Sequence, residues 1–373
     1  MSRGGPPPAT PPGPAPGAVG GAVGGAGQAK VPGIREVAAL SGLSVATVSR
    51  ALGSTGSVSA QSRQRVQEAA AQLGFTLSYA ASSLASGRHH NIGVVVPAVN
   101  RWYFSTLLDG LSAELIAAGY DLTLYTTGHG GEQRATVLSE LLLRRRLDAV
   151  IAVALELTEA EVLQLLALNR PVLGVGGPLP GAHSIAIDEF AVAQAATHHL
   201  IGLGHSLIAY VGGRDEQTAD FKLALRRRQG FESALQGAGL ACPPEWLRVS
   251  DFTVQGAYAT CRELLAGGRQ RPTAIFAASD EMAFGAILAA RDFGLRIPQD
   301  LSVIALDGHE LGQLFGLTTF DQNPRGQGTL AAQRMLSRLA ALAAGDGAAW
   351  EPVAEQFPAP LVVRSSTAVP PAT

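Results

Sequence analysis

The sequence predicts an N-terminal all-α unit followed by an α/β core of two doubly wound parallel-sheet lobes. Three observations carry this. Apolar residues recur at helical spacing from Ile34 to Leu73. After His90, continuous apolar runs bounded by Gly, Pro or Asp alternate with helical stretches, the pattern of parallel strands covered on both faces by helices. The strand candidates number more than about ten, too many for one comfortable sheet, so they divide between two lobes.

The helical unit reads as three short pieces, Ile34 to Leu40, Val45 to Leu52 and Ala60 to Leu73. Ser44 and Ser59 stand where N-caps belong, and Gly42 and Gly74 where helices stop. None is long enough to be stable alone, so the three must pack on one another. In the core, "NIGVVVP", "YDLTLYTT", "LDAVIAVA", "RPVLGVG", "HSLIAYVGG", "TAIFAASD" and "LSVIALDG" read as strands. Helical stretches such as Phe104 to Ala118 and Met282 to Phe293 separate them. Ligands in such architectures sit beyond the carboxyl ends of strands. That rule points to Pro97–Phe104, Gly174–Gly177, Ser279–Glu281 and Asp307–Glu310.

Composition narrows the classes. The chain has 373 residues, 47% apolar and 16% charged, with a formal net charge of −2. Overall charge so close to neutral predicts no partner; only its distribution can. Cys242 and Cys261 form no disulfide or metal framework and read as idle thiols of a reducing cytoplasm. No run approaches the roughly 18 apolar residues of a membrane span. Residues 1–31 are almost entirely Pro, Gly and Ala, which cannot offset their ordering entropy, and a disordered tail is expected. Its "AVGGAVGGAG" is too glycine-rich for a signal-peptide core, which argues against export.

The stretch "REVAALSGLSVATVSRAL" contains a helix, a tight turn at Ser41–Gly42–Leu43 and a second helix capped by Ser44. Ala38, Leu40, Leu43, Val48 and Leu52 are the expected inner seam, with small Ala39 allowing a close crossing. This is a helix-turn-helix arrangement, whose second helix enters the DNA major groove. Val45, Ala46, Ser49 and Arg50 remain on its outer face, with Thr47 alongside. Arg50 suits a bidentate contact to a guanine edge, and Thr47 and Ser49 suit phosphate oxygens. Residues 32–90 carry five arginines against two glutamates, a local net charge of +3. A helical hairpin with a solvated arginine is the competing reading, and this basic segregation counts against it.

Taken together, "IREVAALSGLSVATVSRALGSTGSVSAQSRQRV" resembles the DNA-binding headpiece of the lactose-repressor (LacI/GalR) family of bacterial transcription regulators. "IGVVVPAVNRWYFSTLLDGL" and "PTAIFAASDEMAFGAILAARDFGLRIPQDLSVIALDG" are similar to that family's effector-binding core. The resemblance covers residues 34–366 and implies a cytoplasmic homodimer on a near-palindromic operator, with a core like that of periplasmic sugar-binding proteins. The implied division is a headpiece at 32–78, a hinge at 79–90, a core at 91–366 and a tail at 367–373. Three departures stand out. Gly33 occupies the place of a phosphate-contacting threonine, and Leu77 and Ser78 replace a Pro-Asn pair. Ser82 replaces the hinge arginine, whereas Leu84, expected to wedge into the minor groove, is kept.

For the effector, the resemblance implies Arg227, Asp280 and Asp307 as polar contacts, with Ser279 where an asparagine is usual. An arginine and aspartates at strand ends suit a polyhydroxylated, sugar-like ligand, and Trp102, Tyr103 and Phe104 could wall it. Blander readings compete. Arg226 and Arg228 flank Arg227 as on a solvated helix face, Asp307 could cap a turn, and Trp102 could be core.

Other chemistry is thin. "GVGGPLPG" lacks the third glycine of a dinucleotide fingerprint and the helix that should follow. His198, His199 and His205 have no accompanying carboxylate or cysteine pattern, and "GLSVA" lacks the strand of a nucleophile elbow. No catalytic set converges, and no metal or cofactor is expected. The remaining alternatives are a solute-binding protein, which the core alone would suit, and an enzyme on a doubly wound fold. The end of the sequence shows no leucine heptads, so a dimer is expected rather than a tetramer.

Overall fold

The computed structural model describes residues 32–52, 58–75, 88–128, 131–144, 146–155, 157–213, 222–267 and 270–371. The predicted tail at 1–31, Leu84 and all of the predicted hinge before residue 88 lie outside the described residues. Two compact units divide the chain, residues 1–85 and 86–373.

In the first unit, α1 spans Ile34–Ser41, α2 Val45–Leu52 and α3 Ala60–Leu73. Each boundary has a local cause. Ser44 Oγ accepts from Thr47 N at 3.1 Å and Ser59 Oγ from Ser62 N at 3.2 Å, which caps α2 and α3. Gly42, at φ 66°, closes α1 in the left-handed conformation that glycine adopts without strain. At the start of α1, Glu36 reaches back to Gly33 N–H at 3.0 Å. Gly33 has no hydroxyl to complete that reciprocal box. Val37, Val48 and Val66, one from each helix, are fully buried and form the centre of the unit's core.

The seam differs from expectation at two positions. Leu40 is 50% exposed and Ala39 is exposed, while Val37 is buried. The face of α1 that meets its neighbours carries Val37, Ala38 and Ser41, spaced as a 3.6-residue period requires, and Leu40 falls outside it.

Among the described residues, the second unit holds two six-stranded sheets, one per lobe. In the first lobe the strands are β1 Asn91–Val96, β2 Asp121–Thr126, β3 Ala149–Val153, β4 Val172–Val175, β5 His183–Ala186 and β11 Ala354–Gln356. The second lobe has β6 Ile208–Gly212, β7 Leu247–Val249, β8 Ala274–Ala277, β9 Ser302–Asp307, β10 Thr318–Asp321 and β12 Leu361–Val362. Their spatial orders are β11-β5-β4-β3-β1-β2 and β12-β10-β9-β8-β6-β7. All pairs run parallel except β10 with β12. β3, β8 and β9 are buried throughout, which is why they read as unbroken apolar runs.

Helices between the strands position the site. α4 (Trp102–Ala117) follows β1, and α5 (Gly131–Arg144) and α6 (Glu159–Leu166) complete that half of the first lobe. α7 (Glu189–Gly202) and α8 (Leu223–Gly237) belong to the second lobe, with α9 (Val254–Ala266) and α10 (Asp280–Asp292). After the short α11 (Gly312–Phe315), α12 (Pro324–Ala343) returns to the first lobe and packs on α4 and on β3, β4 and β5. The chain therefore crosses between lobes after β5, after β10 and between β11 and β12.

Gly230 on α8 explains one close approach. A Cβ there would lie 2.3 Å from the Phe190 carbonyl of α7, so only glycine lets these helices meet. That contact sets Arg227, nearly one turn earlier on α8, beside the first residue of α7.

The C-terminal stretch stays attached to the second lobe. His205 bonds Thr273 Oγ1 at 2.8 Å and the Ala368 carbonyl at 2.9 Å, and Ala368 N donates to Ser302 Oγ at 3.1 Å. His199 bonds Thr367 Oγ1 at 3.1 Å. These two histidines thus hold the chain end in place.

Candidate functional site

Two surfaces were expected to carry function. On the first unit, Val45, Ala46, Ser49 and Arg50 are all exposed along one side of α2. Thr47 is half-buried, its hydroxyl 2.9 Å from Ser44 Oγ. Arg50 Nε donates to the Ala46 carbonyl at 3.2 Å, so its guanidinium lies along its own helix. Two of the other arginines have structural duties. Arg63 donates to the Ala51 carbonyl at 3.1 Å and Arg65 to the Ser41 carbonyl at 2.6 Å. Both satisfy carbonyls that helix C-termini leave without partners.

On the second unit, a cavity of about 970 Å³ lies between the lobes, roomy for a small ligand. It forms at the strand ends that the topology designates: Pro97 and Ala98 after β1, Gly176 after β4, Ser279 after β8, Asp307 ending β9 and Gln322 after β10. Gly176 has φ 82°, and a Cβ on it would approach the Tyr103 hydroxyl to 3.1 Å.

Tyr103, Phe104, Arg227, Ser279 and Asp307 line this cavity as expected residues. Arg227 is 2% exposed, whereas Arg226 is exposed and Arg228 pairs with Glu232 on the helix surface. The solvated-face reading therefore fails for Arg227. Its Nε donates to Glu189 Oε2 at 2.6 Å, one Nη donates to the Ala278 carbonyl, and Asp307 Oδ1 stands 4.0 Å away. Burial opposes its charge, but Glu189 and Asp307 outweigh that and hold the guanidinium firmly protonated.

Glu189 owes its place to Asp188, whose carboxylate caps α7 by accepting from Ala191 N at 3.0 Å. Gln322 Nε2 donates to Asp307 Oδ1 at 2.6 Å. Gln327 on α12 donates to the Gln322 carbonyl at 2.7 Å and accepts from the Tyr103 hydroxyl at 3.1 Å. Burial raises the Asp307 carboxyl well above its usual range, Arg227 pulls it down and Asp280 pushes it up. Burial, then Glu189 and Asp307, keep Tyr103 a neutral hydroxyl.

Two of the expected effector residues do not line the cavity. Asp280 is fully buried beneath it, accepting from Gly308 N at 3.1 Å, His309 N at 2.8 Å and Thr319 Oγ1 at 2.6 Å. As the first residue inside α10 it turns toward the β9 and β10 ends, while the cap Ser279, bonded to Met282 N at 3.2 Å, faces the cleft. Trp102 instead stacks on His309, ring centroids 4.4 Å apart, and its indole N–H donates to Glu310. It bridges the lobes outside the cavity.

Beside it, Arg101 donates to the Phe252 carbonyl at 2.5 Å and to the Asp251 carbonyl, with Glu281 3.6 Å away. Arg101, Glu189, Asp251, Glu281 and Gln322 all line the cavity and none was singled out from sequence. Arg101 and Glu281 lay within stretches marked by the strand-end rule. Glu189 and Gln322 sit on lobe crossings that follow strands without a strong apolar signature.

A model of the lacI family of bacterial regulatory proteins matches residues 33–78, and one of the periplasmic binding protein-like domain matches residues 197–367. The HTH-type transcriptional repressor PurR of Vibrio vulnificus is 32% identical over 311 residues, covering 82% of this chain and 91% of the relative. The chain belongs to the lacI family. Among solved structures, this lacI-family chain is similar to the Lac repressor dimer bound to operator and the anti-inducer ONPF, with 26% identity and a TM-score of 0.79. That match covers 91% of this chain and all of the other. A LacI-family regulator from Enterococcus faecium with bound ribose is 28% identical at a TM-score of 0.64, covering 75% and 99% of the two chains. These relatives are regulators, and this lacI-family chain is a transcriptional repressor rather than an enzyme. Among the described residues, no helix is long and apolar enough to cross a membrane and no group of His, Cys, Asp and Glu could hold a metal ion.

Proposed function

We propose that this repressor acts in the cytoplasm as a homodimer on a near-palindromic operator, and that a sugar-like effector held between the lobes controls its grip. The observation that carries the reading is the inter-lobe cavity at the strand ends, with the paired Arg227 at its wall. Val45, Ala46, Ser49 and Arg50 would meet base edges and phosphates, with Thr47 beside them. Tyr103, Phe104, Arg227, Ser279 and Asp307 would meet the effector. Residues 32–78 act as headpiece, 79–90 as hinge with Leu84 in the minor groove, 91–366 as the closing core and 367–373 as its tail. Support comes from the relatives: a Lac repressor dimer bound to operator and a LacI-family regulator with bound ribose share this architecture.

Effector control requires differential affinity for two states. A swing from 99:1 to 1:99 takes about 5.5 kcal/mol. Selection of bound fragments from random DNA, followed by mobility shifts with and without a panel of free sugars, tests the proposal. A two-fold-related half-site and a sugar-dependent shift are expected. Binding without any half-site symmetry would remove the dimer reading, and indifference to every sugar would remove the sugar.

A further inference from the structure

Among the described residues, four acidic side chains, Glu189, Asp251, Glu281 and Asp307, line the cavity against two guanidinium groups, Arg101 and Arg227. Neither cation is free. Arg227 is committed to Glu189, the Ala278 carbonyl and the nearby Asp307, and Arg101 to two backbone carbonyls and Glu281. Even with Asp307 protonated, three carboxylates face two cations.

We propose that this cavity admits uncharged or cationic effectors and excludes phosphate- and carboxylate-bearing ones, with Glu189 and Glu281 as the specificity-determining residues. The proposal rests on the reading of the cavity as the effector site. A phosphate taking a paired N–H of Arg227 would displace Glu189 and leave a buried carboxylate unpaired, and one taking a remaining N–H would be held against the Glu189 and Asp307 carboxyls; both are unfavourable. At Arg101 it would meet Glu281 at the same guanidinium. The low local dielectric sharpens both repulsions. A hydroxyl avoids the conflict, because it can donate to a carboxylate and accept from a remaining guanidinium N–H without separating the pairs. A neutral polyol thus uses the same residues that turn an anion away.

The full chain is titrated calorimetrically with inorganic phosphate and with glucose 6-phosphate, as wild type and as Glu189→Gln and Glu281→Gln. Glutamine keeps an acceptor for each arginine while removing the charge, and the partly exposed Glu281 serves if the buried Glu189 variant does not fold. Wild type should show no saturable binding of either probe, and each folded variant should bind phosphate saturably, at least about tenfold more tightly than the weakest binding the titration detects. Saturable binding by wild type, or no gain in any folded variant, would overturn the proposal. In a second arm, a metabolite extract is split on an anion exchanger and each fraction is added to the operator complex. The unretained fraction should alter operator binding and the retained fraction should not. Activity in the retained fraction alone overturns the charge selectivity but leaves an effector site in place. Silence of both fractions removes the effector reading itself, and the proposal falls with it.

Discussion

Arg65 of α3 donates to the carbonyl of Ser41 at 2.6 Å, so a side chain 24 residues away closes the end of α1. Arg63 does the same for Ala51 of α2 at 3.1 Å. A cation at a helix C-terminus satisfies an orphan carbonyl and complements the helix dipole. With a core built on three valines, the headpiece depends on such ties. Arg65→Met, which keeps the stem and removes the donor, should destabilise α1 by about 1–2 kcal/mol. Amide hydrogen exchange on the intact protein should show faster exchange in residues 34–41. Unchanged protection there would mean that the tie adds nothing.

Arg50 stands in contrast, because its bond to Ala46 lies within α2. Its removal should leave headpiece protection unaltered and act on DNA. Arg50→Ala should weaken operator binding by about 1–3 kcal/mol and relax preference at one base pair per half-site. Changes at Val45 and Ala46 should alter which sequence is preferred, since both are exposed at the start of the same helix. Selected-site profiles of the three variants that match wild type would rule out α2 as the reading element.

Local chemistry is legible in the sequence, and packing decides the rest. Helix caps and turns are local, so Ser44, Ser59 and Gly42 could be read directly. Buried parallel strands announce themselves as apolar runs, and the seven runs fall on β1, β2, β3, β4, β6, β8 and β9. β5, β10 and β11 do not, because "HSIA", "TTFD" and "AEQ" derive their strand character from neighbours. β11 pairs with β5 through Ala354 and Ser184, a register no local pattern contains. The site shows the same division. Strand ends located the cleft, but which of two adjacent residues faces it depends on how a helix is rotated. Ser279 and Tyr103 face inward while Asp280 and Trp102 do not. Glu189 escaped notice because its role exists only once α7 and α8 are packed.

Asp280 carries a pH signature. Burial lifts its carboxyl to about 6 against the pull of its hydrogen bonds, from an ordinary 3.8. Between those values the folded chain binds more protons than the unfolded one, so this group makes stability fall as pH rises through that window. The change is on the order of 3 kcal/mol. Asp280→Asn can still accept from Gly308 and His309 and carries no titrating proton. It should make that segment of the denaturation-midpoint profile shallower between about pH 4 and 6, the remaining slope belonging to the likewise raised Asp307, while effector affinity stays near wild type. A large loss of effector binding in a folded Asp280→Asn variant would return this residue to the list of direct contacts, contrary to its position beneath the cavity floor.

Trp102 offers a way to measure lobe closure without touching the ligand. It stacks on His309 and donates to Glu310, both beyond the end of β9, yet it does not line the cavity. Beside it, Arg101 grips the Asp251 and Phe252 carbonyls, so two consecutive residues of the first lobe hold the second. Arg101 faces the cavity and would mix contact with closure; Trp102 would not. Trp102→Ala removes a ring stack and a charge-assisted hydrogen bond, together worth about 1.5–3 kcal/mol. If that energy favours the closed state, the variant opens, and apparent effector affinity falls in proportion to the closed fraction. A loss of about tenfold or more is expected, accompanied by a larger radius of gyration in small-angle scattering without effector. Glu310→Gln, which keeps an acceptor but removes the charge, should lie between wild type and Trp102→Ala on both measures. An unchanged radius together with unchanged effector affinity in Trp102→Ala would show that this clasp contributes nothing to closure.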